Sequence, residues 1–134
     1  MTIGELARQM GLRSSAVRYY ERLGLIPRAP RRAGHRIYGT DARGHLAVVL
    51  FARQCGFTIA ETKQLLRGFA PSTSASVRWR SLAKAKLRDL DALAEKIRTM
   101  RELLHRITDR CHCGTVTQCG RGLLRRYGRR GDVE

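Results

Sequence analysis

The chain has 134 residues, with 27 Lys and Arg against 11 Asp and Glu and a net charge of +16, a length that suits one domain or one small domain with an extension. No apolar run reaches the roughly 18 residues of a membrane-spanning helix, and the opening MTIGELARQMG has no secretory core. The expected compartment is therefore the cytoplasm, where thiols stay reduced and clustered cysteines read as metal-binding or redox-sensing rather than as disulfides. Residues 1–70 carry 12 basic and 4 acidic side chains, and residues 71–134 carry 15 and 7, so each half is net +8. A positive field spread in this way attracts polyanions, nucleic acid first among them.

Thr2 followed by Glu5 forms a capping box, and Ile3, Leu6, Ala7 and Met10 keep helical spacing up to Gly11. Ser14 or Ser15 is expected to cap a second short helix, SAVRYYERLG, closed by Gly24. Two short helices around a glycine-containing turn make a helix-turn-helix pattern, with Ala7, Val17 and Leu25 as core positions. Pro27 and Pro30 exclude helix from the next stretch, where Ala33-Gly34 reads as the turn of a small β wing. Asp41 or Thr40 then caps ARGHLAVVLFARQCG, and Thr58 with Glu61 opens IAETKQLLRG.

The stretch FAPSTSAS marks a boundary, and a long helix is predicted from Ser76 to Asp109. Leu90, Leu93, Ile97, Met100, Leu104 and Ile107 lie three and four residues apart, a heptad seam that calls for a partner helix from a second copy of the chain. The expected fold is mainly α: a winged helix-turn-helix domain over 1–70, a linker and dimerisation helix over 71–109, and a cysteine loop with a mobile basic tail over 110–134.

Ser15, Arg18, Tyr19 and Tyr20 on the second helix with Arg13 beside it, and Arg36 and Tyr38 in the wing, are the candidate DNA contacts. Arginine grips phosphates and guanine edges, and hydroxyls fix register on the phosphate backbone. Arg22, Arg31 and Arg32 add charge beside them. His35 reads as a surface or phosphate-facing residue, and His45 and His105 as ordinary helix residues.

The segments TIGELARQMGLRSSAVRYYERLGLIPR, RIY and ARQCGFTIAETKQLL, followed by a long helix and a cysteine-bearing loop, resemble the MerR family of bacterial transcription regulators over residues 1 to about 120. The resemblance implies a winged helix-turn-helix domain, an antiparallel dimerisation helix, and a homodimer that binds double-stranded promoter DNA and distorts it so that RNA polymerase can initiate. It places Arg18, Tyr20, Arg36 and Tyr38 at DNA-contacting positions.

Cys111, Cys113 and Cys119, with His112 among them, follow the long helix directly. Thiolates bind soft or borderline ions, from Cu(I) and Ag(I) to Zn(II) and iron–sulfur clusters. Gly114 and Gly120 suit a tight loop, and Arg106, Arg110 and Arg121 are expected to lower the thiol pKa values. In the copper-responsive branch of the family two cysteines are separated by seven residues, as Cys111 and Cys119 are, and a serine stands where Ser76 stands here. No cysteine lies in residues 56–110, which favours Cu(I) or a similar monovalent ion; Cys113 either makes the site three-coordinate or binds Zn(II) together with His112 or water.

The alternative is a redox- or electrophile-sensing regulator. Cys111, Cys113 and Cys119 match the last three cysteines of the redox-sensing branch's iron–sulfur motif, with Thr108 where the first would stand and Trp79 early in the long helix. Cys55 reads as a core residue. No general-base constellation, oxyanion motif or phosphate-binding glycine loop is present, so an enzyme is not expected. An architectural DNA-binding protein with an incidental cysteine loop is the remaining reading.

Overall fold

A computed structural model describes residues 1–128. Among them are six helices and one two-stranded antiparallel sheet. The chain forms two compact units, Met1–Leu87 and the segment beginning at Arg88.

In the first unit, α1 (Ile3–Gln9) starts at the expected capping box: Thr2 Oγ1 accepts from the Glu5 N–H at 3.2 Å and the Glu5 carboxylate accepts from the Thr2 N–H at 3.0 Å. α2 (Ser14–Arg22) differs from expectation at its start. Arg13 holds the extended N-cap position and no side chain caps the helix, because Ser14 is already helical. Gly24, at φ +75°, turns the chain out of α2 in the left-handed region that favours glycine. The wing consists of β1 (Arg31–Arg32) and β2 (His35–Arg36), with Arg31 opposite Arg36. Ala33 and Gly34 both have positive φ, as a tight hairpin turn requires.

α3 (Asp41–Gln54) also begins without a side-chain cap, since its N-cap Thr40 is itself in the helical region. α4 (Ile59–Arg67) has the predicted Thr58–Glu61 capping box. Leu6, Ala7, Val17, Leu25, Leu46 and Val49 form the core, joined by Ile26 and Tyr38. Each of the larger aliphatic residues stabilises the fold by roughly 1.5–3 kcal/mol on burial. A second cluster of Ala52, Phe57 and Leu65 packs against Cys55, Trp79 and Leu82; Cys55 is half-buried at its edge rather than the core residue expected.

α5 (Ala75–Arg110) spans 36 residues, within one residue of prediction at each end. Its first turns are tied to α4. Arg78 donates to the Leu66 carbonyl at 2.9 Å and the Leu65 carbonyl at 3.3 Å, and Lys86 pairs with Glu61 at 2.7 Å. In the second unit the six seam residues of α5 are 37–64% exposed. The segment after Cys113 is not the loop expected from the sequence. Val116–Tyr127 is a helix, α6, with Thr115 Oγ1 accepting from the Gln118 N–H at 3.1 Å. The cap and the apolar spacing of Val116, Leu123 and Tyr127 outweigh Gly120 and Gly122. The tail from Arg129 onward lies outside the described residues.

Candidate nucleic-acid interface and metal centre

The helical period of α2 sorts its side chains. Val17 and Glu21, one turn apart, point inward and are buried, whereas Ser15, Arg18, Tyr19 and Arg22 are exposed, as is Arg13 at the N-cap. Tyr20 is half-buried against the core, its ring 5.8 Å from that of Tyr19. The wing returns Arg31 and Arg36 to the same side, where Arg18, Arg31, His35 and Arg36 line one concavity of about 350 Å³ with Thr2, Ile3 and Gly34. Guanidinium groups from a helix and from a hairpin thus share a single surface suited to phosphate oxygens.

Two of the candidate contacts are already engaged within the protein. Tyr38 is 3% exposed, and its hydroxyl donates to Glu21 Oε1 at 3.1 Å. Arg36 Nη1 donates to the same oxygen at 2.7 Å. Burial, reinforced by the Glu21 charge, raises the Tyr38 pKa. Sequence reasoning missed Glu21, although a signal was present: it is the only acid between Glu5 and Asp41, a stretch that contains eight arginines.

At the far end of α5 the last turn carries Cys111, whose N–H donates to the Ile107 carbonyl at 2.9 Å. Gln118 accepts from the Gly114 N–H at 3.1 Å and folds the connection back, so that Cys119 falls in the first turns of α6 rather than in a loop. The sulfurs of Cys111, Cys113 and Cys119 all lie within 4.8 Å of one another. Metal–thiolate bonds of about 2.3 Å, as for zinc, require sulfur separations of about 4 Å in a trigonal set and about 4.6 Å in a linear pair, so the cluster fits a soft ion. His112 is exposed and stands outside the converging set.

Hydrogen bonds from the Cys113 N–H and thiol lower the Cys111 pKa, and the Cys111 sulfur in turn raises that of Cys113. The lowering therefore arises inside the cluster and not from Arg106, Arg110 and Arg121 as expected from the sequence. The three cysteines border a groove of about 450 Å³ whose other walls include Leu103, Ile107, Leu123 and Tyr127.

Residues 2–38 match the family described as MerR family regulatory protein, and residues 43–107 match the family described as MerR, DNA binding. The chain is 31% identical to the HTH-type transcriptional regulator HmrR of Rhizobium leguminosarum bv. viciae, over 89% of this chain and 92% of that protein. It is 32% identical to the HTH-type transcriptional regulator CueR of Escherichia coli O157:H7, over 89% of each chain. The crystal structure of the transcription regulator PbrR691 from Ralstonia metallidurans CH34 in complex with lead(II) is similar at a TM-score of 0.74 and 25% identity, covering 90% of this chain and 94% of that one.

Proposed function

The chain belongs to the MerR family of DNA-binding transcription regulators, and from that premise we propose that it is a metal-responsive activator. In this reading a homodimer binds promoter DNA through Arg13, Ser15, Arg18, Tyr19, Tyr20 and Arg36, with Tyr38 supporting the wing, and senses a soft ion of the Cu(I) or Ag(I) type through Cys111, Cys113 and Cys119. The observation that carries it is the convergence of three sulfurs within 4.8 Å at the end of α5. Soft thiolates select Cu(I)-like ions, with Zn(II) the borderline competitor. The three converging sulfurs belong to one chain, and the absence of a cysteine from residues 56–110 favours a monovalent ion of low coordination number. The lead(II) complex of the similar PbrR691 supports a soft-metal effector class.

The three functional parts follow the sequence: the reading head over 1–70, the linker and dimerisation helix over 71–109, and the sensing segment over 110–134. The seam of α5 is suited to a second copy. A dimer holds two reading heads at a fixed spacing. Loading of the cysteine end would bias one of two arrangements of the heads, and the DNA distortion that follows would allow RNA polymerase to initiate. A reducing cytoplasm keeps such thiols available.

A redox-sensing reading is favoured by one observation, the closeness of the exposed Cys113 to the pKa-lowered Cys111. Its iron–sulfur form has less support. Thr108 stands where the motif's first cysteine would, which leaves the set without a fourth thiolate, and its hydroxyl donates to the Leu104 carbonyl. Anaerobic purification, a visible spectrum and metal quantification test both. One Cu(I) bound per chain by a colourless protein, lost on Cys111→Ser or Cys119→Ser, supports the metal reading. A coloured protein with about two irons per chain overturns it.

A further inference from the structure

We propose that Glu21 is a positioning residue for DNA recognition: its buried carboxylate fastens the wing to α2 and sets where Arg36 meets the DNA. The carboxylate touches the wing segment at three points. Glu21 Oε2 accepts the Ala29 N–H at 2.9 Å, ahead of β1. Glu21 Oε1 accepts Arg36 Nη1 at 2.7 Å, on β2, and the Tyr38 hydroxyl at 3.1 Å, beyond it. The wing strands have two residues each, and a hairpin of that size does not hold its own conformation in water. The Glu21 side chain is 3% exposed and that of Arg36 is 31% exposed. Arg36 therefore retains solvent-facing surface after Nη1 is engaged, and guanidinium has five donors to share. It lines the same concavity as Arg18 and Arg31, so fixing its orientation fixes the spacing of three cations facing a polyanion.

Position and charge predict opposite outcomes, which makes the proposal testable. Considered as charge alone, a carboxylate beside bound phosphates weakens binding, and its removal would tighten the complex and steepen its salt dependence. Considered as an anchor, its removal frees the wing and weakens the complex. The proposal rests on the assigned DNA interface, so variants of both are required.

Full-length protein is titrated with a duplex that the wild-type chain enriches from a random-sequence pool, over a series of salt concentrations. Glu21→Gln is expected to lose about ten-fold in affinity without a steeper salt slope, as unfastening two side chains implies. Tyr38→Phe is expected to lose a few-fold on the same grounds, and nothing further when combined with Glu21→Gln. Glu21→Asp keeps the charge and shortens the reach, and is expected to lose affinity while the Ala29 amide exchanges faster. It stands in if Glu21→Gln does not fold.

Arg18→Ala and Arg36→Ala report on the interface itself, each expected to reduce the salt slope by about one. No loss from either arginine variant overturns the interface and the proposal together. Losses from both, with equal or tighter binding by the Glu21 variants, overturn the proposal alone, as do Glu21→Gln and Tyr38→Phe losses that multiply.

Discussion

Among the thiols, Cys111 gives up its proton before Cys113, because the Cys113 N–H and thiol donate to the Cys111 sulfur. Alkylation of the metal-free protein by iodoacetamide, followed by peptide mass spectrometry across pH, is expected to label Cys111 at lower pH than Cys113. Equal labelling profiles would contradict the hydrogen-bonded cluster. Tyr38 shows the opposite displacement: burial raises its pKa in the folded chain. A group so raised stabilises the fold at pH values below its unfolded pKa, and that contribution is lost as pH climbs through the folded value. Thermal stability is therefore expected to fall in the alkaline range above the ordinary tyrosine pKa, and Tyr38→Phe to remove that part of the loss. Ala33 stands at φ +49° in the wing turn, a conformation that costs a non-glycine residue about 1 kcal/mol or more. Asn tolerates it and forms the favoured Asn-Gly pair with Gly34, so Ala33→Asn is expected to stabilise the reading head by about 0.5–1 kcal/mol in denaturant unfolding. Arg18, Tyr19 and the cysteine cluster were legible as local patterns. The role of Glu21 was not, because it depends on a bond between residues 15 positions apart.

Helix by helix, the chain was most legible where a cap and an apolar period agree. Thr2 with Glu5 and Thr58 with Glu61 mark the starts of α1 and α4, and FAPSTSAS precedes α5. α6 was missed because glycines and cysteines resemble a loop, while the Thr115 cap and the spacing of Val116, Leu123 and Tyr127 specify a helix. The junction of α4 and α5 is a feature that only tertiary structure reveals. Arg78, from the first turn of α5, satisfies carbonyls left open at the end of α4. Arg78→Met keeps the stem and removes the donors, and is expected to cost about 2 kcal/mol in urea unfolding, the range for hydrogen bonds to a charged group. The exposed seam of α5 leads to a separate expectation. Leu93→Asp with Ile97→Asp places charge at its middle and should convert a dimer into a monomer in sedimentation analysis, with the reading head still folded.

The molecule as a whole carries a net charge of +16, divided evenly between its halves. Family membership turns that charge into a statement about DNA, since phosphate contacts release counterions and make affinity fall steeply with salt. The cysteine set adds a consequence for how such a regulator would respond to dose. All three converging sulfurs belong to one chain, and residues 56–110 offer no further thiol. If the proposed ligand set is right, each copy in a dimer owns a complete site, and an assembly with one site filled is a chemically sound species. If one filled site switches the pair, output rises with the first ion. If both are required, the dose curve is sigmoidal, and mixed dimers with one Cys111→Ser copy remain silent. The occupancy rule of the switch is thus open to measurement in dimers that join one intact and one disabled chain.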